Sequence, residues 1–151
     1  MASVHQLNDK TLNDHLYQAD GTDDAPALPS LSGGECRCGY VFFPWQTYGC
    51  ERCGLSGDAL RPKRLTGKGT LRAKATVHRH RDNRALTDVQ PRVAPFTIGV
   101  VDLVDGPTIR VVLDESDGPA HPDATVVARL VEVGTKERSV MDLCFAPTSG
   151  G

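Results

Sequence analysis

The sequence predicts a mainly β protein: an N-terminal arm with a short helix, a four-cysteine zinc ribbon, and a five-stranded OB-like barrel. Three observations lead there. Four of the five cysteines fall within residues 33–54 as two close pairs. Beyond residue 66, apolar and polar residues alternate in five short segments divided by turn residues. Most of those segments have no helix-length pattern between them, which favours a small closed barrel, with an SH3-like barrel as the nearest competitor. At 151 residues the chain is one domain of ordinary size, or one core plus a small module. We expect an arm and linker over 1–35, the ribbon over 36–60 and the barrel over 61–151.

In the arm, "LNDKTLNDHLYQ" places Leu7, Thr11, Leu12, Leu16 and Tyr17 at helical spacing, with Asn8 or Asp9 as a cap. The following "ADGTDDAPALPSLSGG" is rich in Asp, Gly, Pro and Ser and reads as a linker.

In the ribbon, Cys36 and Cys38 form a C-x-C pair, and Cys50 and Cys53 a C-x-x-C pair. Two short cysteine loops brought together by a hairpin supply the tetrahedron of soft ligands that Zn²⁺ prefers. Four protein ligands leave no open coordination position, so the expected role is structural. Gly39 and Gly54 each follow a second cysteine and let the backbone turn there. The run Val41, Phe42, Phe43, Trp45 is expected to pack the hairpin onto a neighbour. The C-x-C step is cramped, and Glu35 competes with Cys36 as fourth ligand; thiolate is the better ligand for zinc. A rubredoxin-like iron centre uses the same four-cysteine cage. A thioredoxin-like redox pair at Cys50 and Cys53 would need a βαβ setting, which the pattern lacks.

The five strands are read from "TLRAKATVHR", "FTIGVVDLVDGP", "TIRVVLDES", "ATVVARLVEVG" and "RSVMDLCFAP". In the first, Leu71, Ala73, Ala75 and Val77 alternate with Arg72, Lys74, Thr76 and His78, as on a half-buried strand. Asp105 and Gly106 mark a turn. Cys144, among Val140, Met141, Leu143 and Phe145, reads as core. The long connection between the first two strands carries Arg79, Arg81, Arg84 and Arg92. His78 and His80 could be half a metal site but have no third ligand. His5, His15 and His121 lie in segments without pattern.

Net charge is −2 but unevenly spread. Residues 61–84 hold nine Lys/Arg against Asp82 alone, in an otherwise acidic chain. Such a block suits a phosphate-bearing ligand or an acidic partner surface. No segment approaches the roughly 20 apolar residues of a membrane span. The N-terminus lacks a basic start followed by an apolar run, so no secretory signal is expected and the chain is read as cytoplasmic. Clustered cysteines in a reducing compartment are metal ligands before they are disulfides. There is no G-x-S-x-G, Gly-rich phosphate loop or H-E-x-x-H, and Asp114 with Glu115 reads as turn chemistry.

The order four-cysteine ribbon, "LTGKGTL" bridge and OB-like barrel resembles the zinc-ribbon/OB-fold proteins encoded beside thiolases, the acyl-CoA-associated OB-fold family. The resemblance covers about residues 36–147 and rests on "CGYVFFPWQTYGCERCG", "LRPKRLTGKGTLRAKATVHR", "APFTIGVVDLVDGP" and "DLCFAP". The C-x-C pair and the acidic arm depart from the family pattern. Family members are non-catalytic partners of thiolase-superfamily subunits, or occasionally of hydratases and aldolases acting on acyl-CoA. The resemblance thus implies a hetero-oligomer with a thiolase-like subunit carrying the catalytic Cys and His. Its substrate would be a 3-oxoacyl-CoA such as benzoylsuccinyl-CoA. On that reading Lys63, Arg64 and Lys68 lie near the CoA phosphates or an acidic partner surface. The competing class is a single-stranded nucleic-acid module, but Phe96 and Phe145 are the only barrel aromatics and such modules stack bases on exposed rings.

Overall fold

The computed structural model describes residues 14–23, 25–77, 96–134 and 139–148. Its first unit is a small antiparallel sheet of β1 (Tyr17–Gln18), β2 (Ser30–Cys36), β3 (Val41–Phe42) and β4 (Leu60–Leu65). β2 is central: β4 pairs along one edge, while β1 and β3 share the other. The second unit is a closed barrel of β5 (Lys68–Val77), β6 (Phe96–Leu103), β7 (Thr108–Leu113), β8 (Thr125–Gly134) and β9 (Ser139–Pro147). Its strands run β5-β6-β7-β9-β8 around the wall, and β8 closes onto β5. All pairs are antiparallel except β7 with β9, the crossing that closure of this Greek-key order requires. The mainly β reading holds, and each of the five strand segments read from period two forms a barrel strand.

The two units share one core. Leu31 from β2, Leu65 from β4 and Tyr17 from β1 pack in the same cluster as Leu71, Val101, Leu113 and Phe145 of the barrel. Phe145 and Leu31 are fully buried. The step from β4 into β5 is pinned as well. The Ala128 N–H donates to the Gly67 carbonyl at 2.7 Å, and the Thr66 N–H donates to the Asp105 carboxylate. Cys144 is fully buried, as its apolar surroundings imply.

Three expectations need correction or narrowing. The described end of the expected arm helix is a single 3-10 turn at Asp14–Leu16 that passes into β1; residues 1–13 lie outside the described residues. Tyr17 is buried and pairs with Leu31, so packing overrides the local helical spacing. The stretch "SLSGG", read as linker, is the body of β2. Its glycines serve close approach: a Cβ on Gly34 would run into the Phe42 ring and meet Trp45 Cε3 at 2.7 Å. The sheet that carries the cysteines therefore draws strands from both sides of residues 36–60.

The third correction concerns β5. Ala73 and Ala75 were expected on the buried face, yet both are exposed. A register shift falls between Leu71 and Ala73. One extra residue in a strand moves every later side chain to the other face. Gly69 and Leu71 pair with Leu103 and Val101 on the buried face, but Ala73 and Ala75 pair with Val100 and Ile98 on the outer one. Lys74 now lies opposite Gly99, and its ammonium meets the Glu115 carboxylate at 2.9 Å. His78, His80, Arg79, Arg81, Arg84 and Arg92 lie outside the described residues.

Candidate metal centre and its cationic neighbours

Each cysteine pair sits on a hydrogen-bonded turn. The Cys36 N–H donates to the Tyr40 carbonyl, and the Gly39 N–H donates back to the Cys36 carbonyl, both at 2.8 Å. In the second knuckle the Cys50 N–H donates to the Leu55 carbonyl at 2.8 Å and the Gly54 N–H to the Cys50 carbonyl at 2.9 Å. The first turn spans three residues and the second four, so the C-x-C pair makes a complete knuckle that is one residue tighter. Gly39 has φ 94° and Gly54 φ 80°, a left-handed conformation that side chains disfavour.

The four thiols converge: Cys36, Cys38, Cys50 and Cys53 place their sulfurs all within 4.8 Å of one another. Cys36 Sγ lies 3.4 Å from Cys53 Sγ, and Cys38 Sγ lies 3.8 Å from Cys50 Sγ. A disulfide needs about 2.05 Å. A tetrahedron with Zn–S of about 2.3 Å needs sulfurs about 3.8 Å apart. The cage therefore has the donor set and the size of a structural zinc site, with no vertex left for substrate. Burial opposes ionisation of Cys50, but the amides of Cys53 and Arg52 aimed at its sulfur bring the thiol down to about 7. At Cys36 the Cys38 amide favours the thiolate, yet burial and the neighbouring thiols push it up to about 12.

Cys36 and Cys50 pack with Phe42 and Leu60 in a second, smaller core. Phe42 stacks between Tyr40 and Trp45, with centroids at 6.4 and 6.1 Å. Val41 and Phe43 point the other way and pack on the barrel core. The expected packing of this apolar run thus occurs within the chain, divided between two clusters by strand alternation.

Glu35 faces away from the cage. Its carboxylate meets Arg61 at 2.9 Å and Lys63 at 3.6 Å. The Arg61 hydrogen bond, followed by the charge of Lys63, holds its carboxyl below the usual range. Arg61 escaped the sequence reading because its partner lies across the β2–β4 register, which no local pattern shows.

The three cations singled out for ligand contact are not one cluster. Lys63 and Arg64 are successive strand residues and take opposite faces. Arg64 donates to Ser30 Oγ at 3.1 Å and to the Asp20 carbonyl at 2.5 Å, tying the arm onto the sheet. Lys68 lines a cavity of about 680 Å³ with Leu28, Val104, Asp105 and Val127. A second cavity of about 770 Å³ adjoins it at Leu28, Val127 and Thr148 and reaches Arg129. Together they form one groove between the arm and β8. Among the described residues, no helix is long and apolar enough to cross a membrane.

No family model matches the chain. It is similar to DUF35 proteins. A DUF35 domain-containing scaffold protein from Methanothermobacter thermautotrophicus is 27% identical over 109 residues, spanning 72% of this chain and 73% of that protein. Among solved structures, the Ltp2-ChsH2(DUF35) aldolase superposes with a TM-score of 0.53 and 18% identity over 78% of this chain and 84% of the other. At that identity the likeness is one of fold.

Proposed function

We propose that the chain is a DUF35-type, non-catalytic subunit of an acyl-CoA enzyme complex, in which it supports assembly and acyl-CoA binding. The observation that carries this is a closed four-sulfur cage joined through a shared core to a closed barrel. Such a cage would hold a metal for structure and leave it no vertex for chemistry. The similarity to a scaffold protein over most of both chains supports it, and so does the fold shared with the Ltp2-ChsH2(DUF35) aldolase. The finer reading places a thiolase-like partner opposite it, carrying the Cys and His for thiolytic cleavage of a 3-oxoacyl-CoA. Within that reading the small zinc-finger subunit of benzoylsuccinyl-CoA thiolase is the nearest counterpart; an aldolase or hydratase partner is the variant.

For the CoA phosphates, Lys68 is the best placed of the three proposed cations, since it borders the groove. Lys63 contributes beside Arg61, and Arg64 acts mainly by fixing the arm. A nucleic-acid role has less support, because of the barrel's two aromatics Phe145 is buried and Phe96 half-buried.

The test is isolation of the tagged full chain from its own cells, followed by identification of stoichiometric partners and an assay of the pair with acyl-CoA esters. A co-purifying thiolase, aldolase or hydratase that loses activity without this chain is the expected result. A chain that purifies alone and shifts single-stranded oligonucleotide in a salt-dependent way would overturn the reading.

A further inference from the structure

We infer that the ribbon's second knuckle is a docking anchor for a concave apolar pocket on the catalytic subunit; this rests on the accessory-subunit reading above. Among the described residues three large hydrophobic side chains are exposed: Tyr48 at 84%, Val104 at 61% and Leu55 at 45%. Two of the three flank one feature. Tyr48 lies two residues before Cys50, and Leu55 two residues after Cys53.

Backbone hydrogen bonds join the two segments that carry them. The Cys50 N–H donates to the Leu55 carbonyl at 2.8 Å, and the Gly57 N–H donates to the Thr47 carbonyl at 3.0 Å. The Gln46 side chain clamps the turn that carries Tyr48. Its amide nitrogen donates to the Gly49 carbonyl at 2.7 Å, and its oxygen accepts the Gly49 N–H at 3.1 Å. An exposed tyrosine on a braced turn has only two torsions left to order on binding, which lowers the entropic cost of association. Tyrosine is also among the residues that dominate protein interfaces. Tyr48 takes no part in the ring stack of Tyr40, Phe42 and Trp45.

Charge selects the class of partner. Four thiolates around a divalent cation carry two negative charges. Arg37 and Arg52 each sit between two cage cysteines in sequence, are exposed, and have no ion-pair partner among the described residues. With Glu51 beside Arg52 in the same knuckle, the two arginines offset the cage charge without exceeding it. The tip then presents two exposed apolar side chains and no surplus positive charge, and phosphate neutralisation is what dominates nucleic-acid affinity. An apolar protein pocket fits; a polyanion does not.

The test uses the co-purified partner, with the two full chains then expressed separately and their affinity measured by calorimetry. Tyr48→Ala should weaken binding roughly 30-fold or more, the scale of an interface hot spot. Leu55→Ser should weaken it severalfold, as should Gln46→Ala, which leaves every contacting side chain in place and only frees the turn. Arg110→Ser, on the exposed face of β7 and outside the groove, should leave affinity within about twofold, as distant surface changes do. Zinc content and circular dichroism of each variant establish that the fold is retained. Unchanged affinity in both Tyr48→Ala and Leu55→Ser overturns the anchor and leaves the accessory-subunit reading standing. Absence of any stoichiometric partner overturns both. Loss of oligonucleotide binding on Tyr48→Ala, with no protein partner found, replaces them with the nucleic-acid reading.

Discussion

Glu35 and Arg61 face each other across β2 and β4, with the guanidinium donating to the carboxylate at 2.9 Å. That pairing commits Glu35 to the face away from the sulfurs, because neighbours in a strand point to opposite sides. Cys36, the next residue, turns into the cage. Glu35→Gln should therefore keep one zinc per chain, measured by atomic emission or a chromogenic chelator. Cys36→Ser should lose stoichiometric zinc. The opposite pattern would make Glu35 the fourth ligand. The ion pair is largely exposed at Arg61, and such pairs contribute little, so Glu35→Gln should hardly move the thermal midpoint.

Removal of the metal has an optical reporter. Trp45 is the single tryptophan, half-buried and stacked on Phe42, which packs directly against Cys36 and Cys50. A strong chelator should shift its emission to the red as this small core opens. The effect should reach the barrel, since Leu31 and Leu65 of the ribbon sheet belong to the barrel's own core. One coupled loss of midpoint across the whole chain is expected, seen as coincident fluorescence and far-UV transitions. A ribbon that melts alone, with the barrel transition unmoved, would show that the shared core does not couple them. Zinc retention should also fall with pH, because metal binding must displace protons from thiols that span about 7 at Cys50 to about 12 at Cys36.

Much of this architecture was legible locally, and the parts that were not share a cause. Period two and the Asp105–Gly106 turn are properties of neighbouring residues, so the five barrel strands could be read directly. The cage could be read because ligand spacing is local within each pair. By contrast, Gly33 and Gly34 look like linker until Leu65, Phe42 and Trp45 are brought against them. The outward turn of Ala73 and Ala75 depends on a bulge opposite β6, and the Glu35–Arg61 pair on a register between strands far apart in sequence. Packing across distance decides each of these, and a single strand's pattern does not contain it.

Gly34→Ala tests the strand reading of that stretch. A methyl group there meets the Phe42 and Trp45 rings, which also wall the metal core. Overpacking of this kind typically costs about 1–3 kcal/mol. The midpoint in urea should drop with an unchanged slope. A neutral substitution would mean that the rings move aside and that "SLSGG" is as permissive as a linker.

Acid should weaken the barrel through Glu115 and Asp102. Partial burial alone would raise the Glu115 carboxyl, but Lys74 and the Ala120 N–H outweigh it and hold it below its usual 4.5. At Asp102 the Thr108 hydroxyl lowers the carboxyl first, burial opposes, and Arg72 lowers it further below 3.8. A carboxyl depressed in the folded state stabilises the fold above its unfolded value and loses that contribution as pH falls through the folded one. The thermal midpoint should thus decline as pH drops from about 5 toward 3, on top of any loss of zinc. Glu115→Gln separates the two effects. It lies outside the metal core, so zinc release should keep its pH dependence while the barrel's acid slope becomes shallower. An unchanged slope would mean that the Lys74–Glu115 contact does not distinguish the folded from the unfolded chain.

Lys68 and Arg64 make opposite predictions although they stand four residues apart. Lys68 borders the groove and has no ion-pair partner among the described residues, so Lys68→Glu should leave the thermal midpoint nearly unchanged. If the groove takes the phosphate end of a CoA ester, the same change should weaken acyl-CoA binding by the assembled complex about tenfold, the effect of losing and reversing one charge contact. Arg64 instead holds Ser30 and the Asp20 carbonyl, and Arg64→Ala frees both the arm and a buried serine hydroxyl. It should lower stability by about 1–3 kcal/mol. Because the arm is also one wall of the groove, any loss of ligand affinity should accompany this loss of stability, whereas Lys68→Glu loses affinity alone. Calorimetry on the complex with acyl-CoA, run beside thermal melts of the isolated chain, gives both readouts. A Lys68→Glu complex that binds CoA esters as tightly as the parent would remove this groove from the ligand path and leave the metal core and the fold untouched.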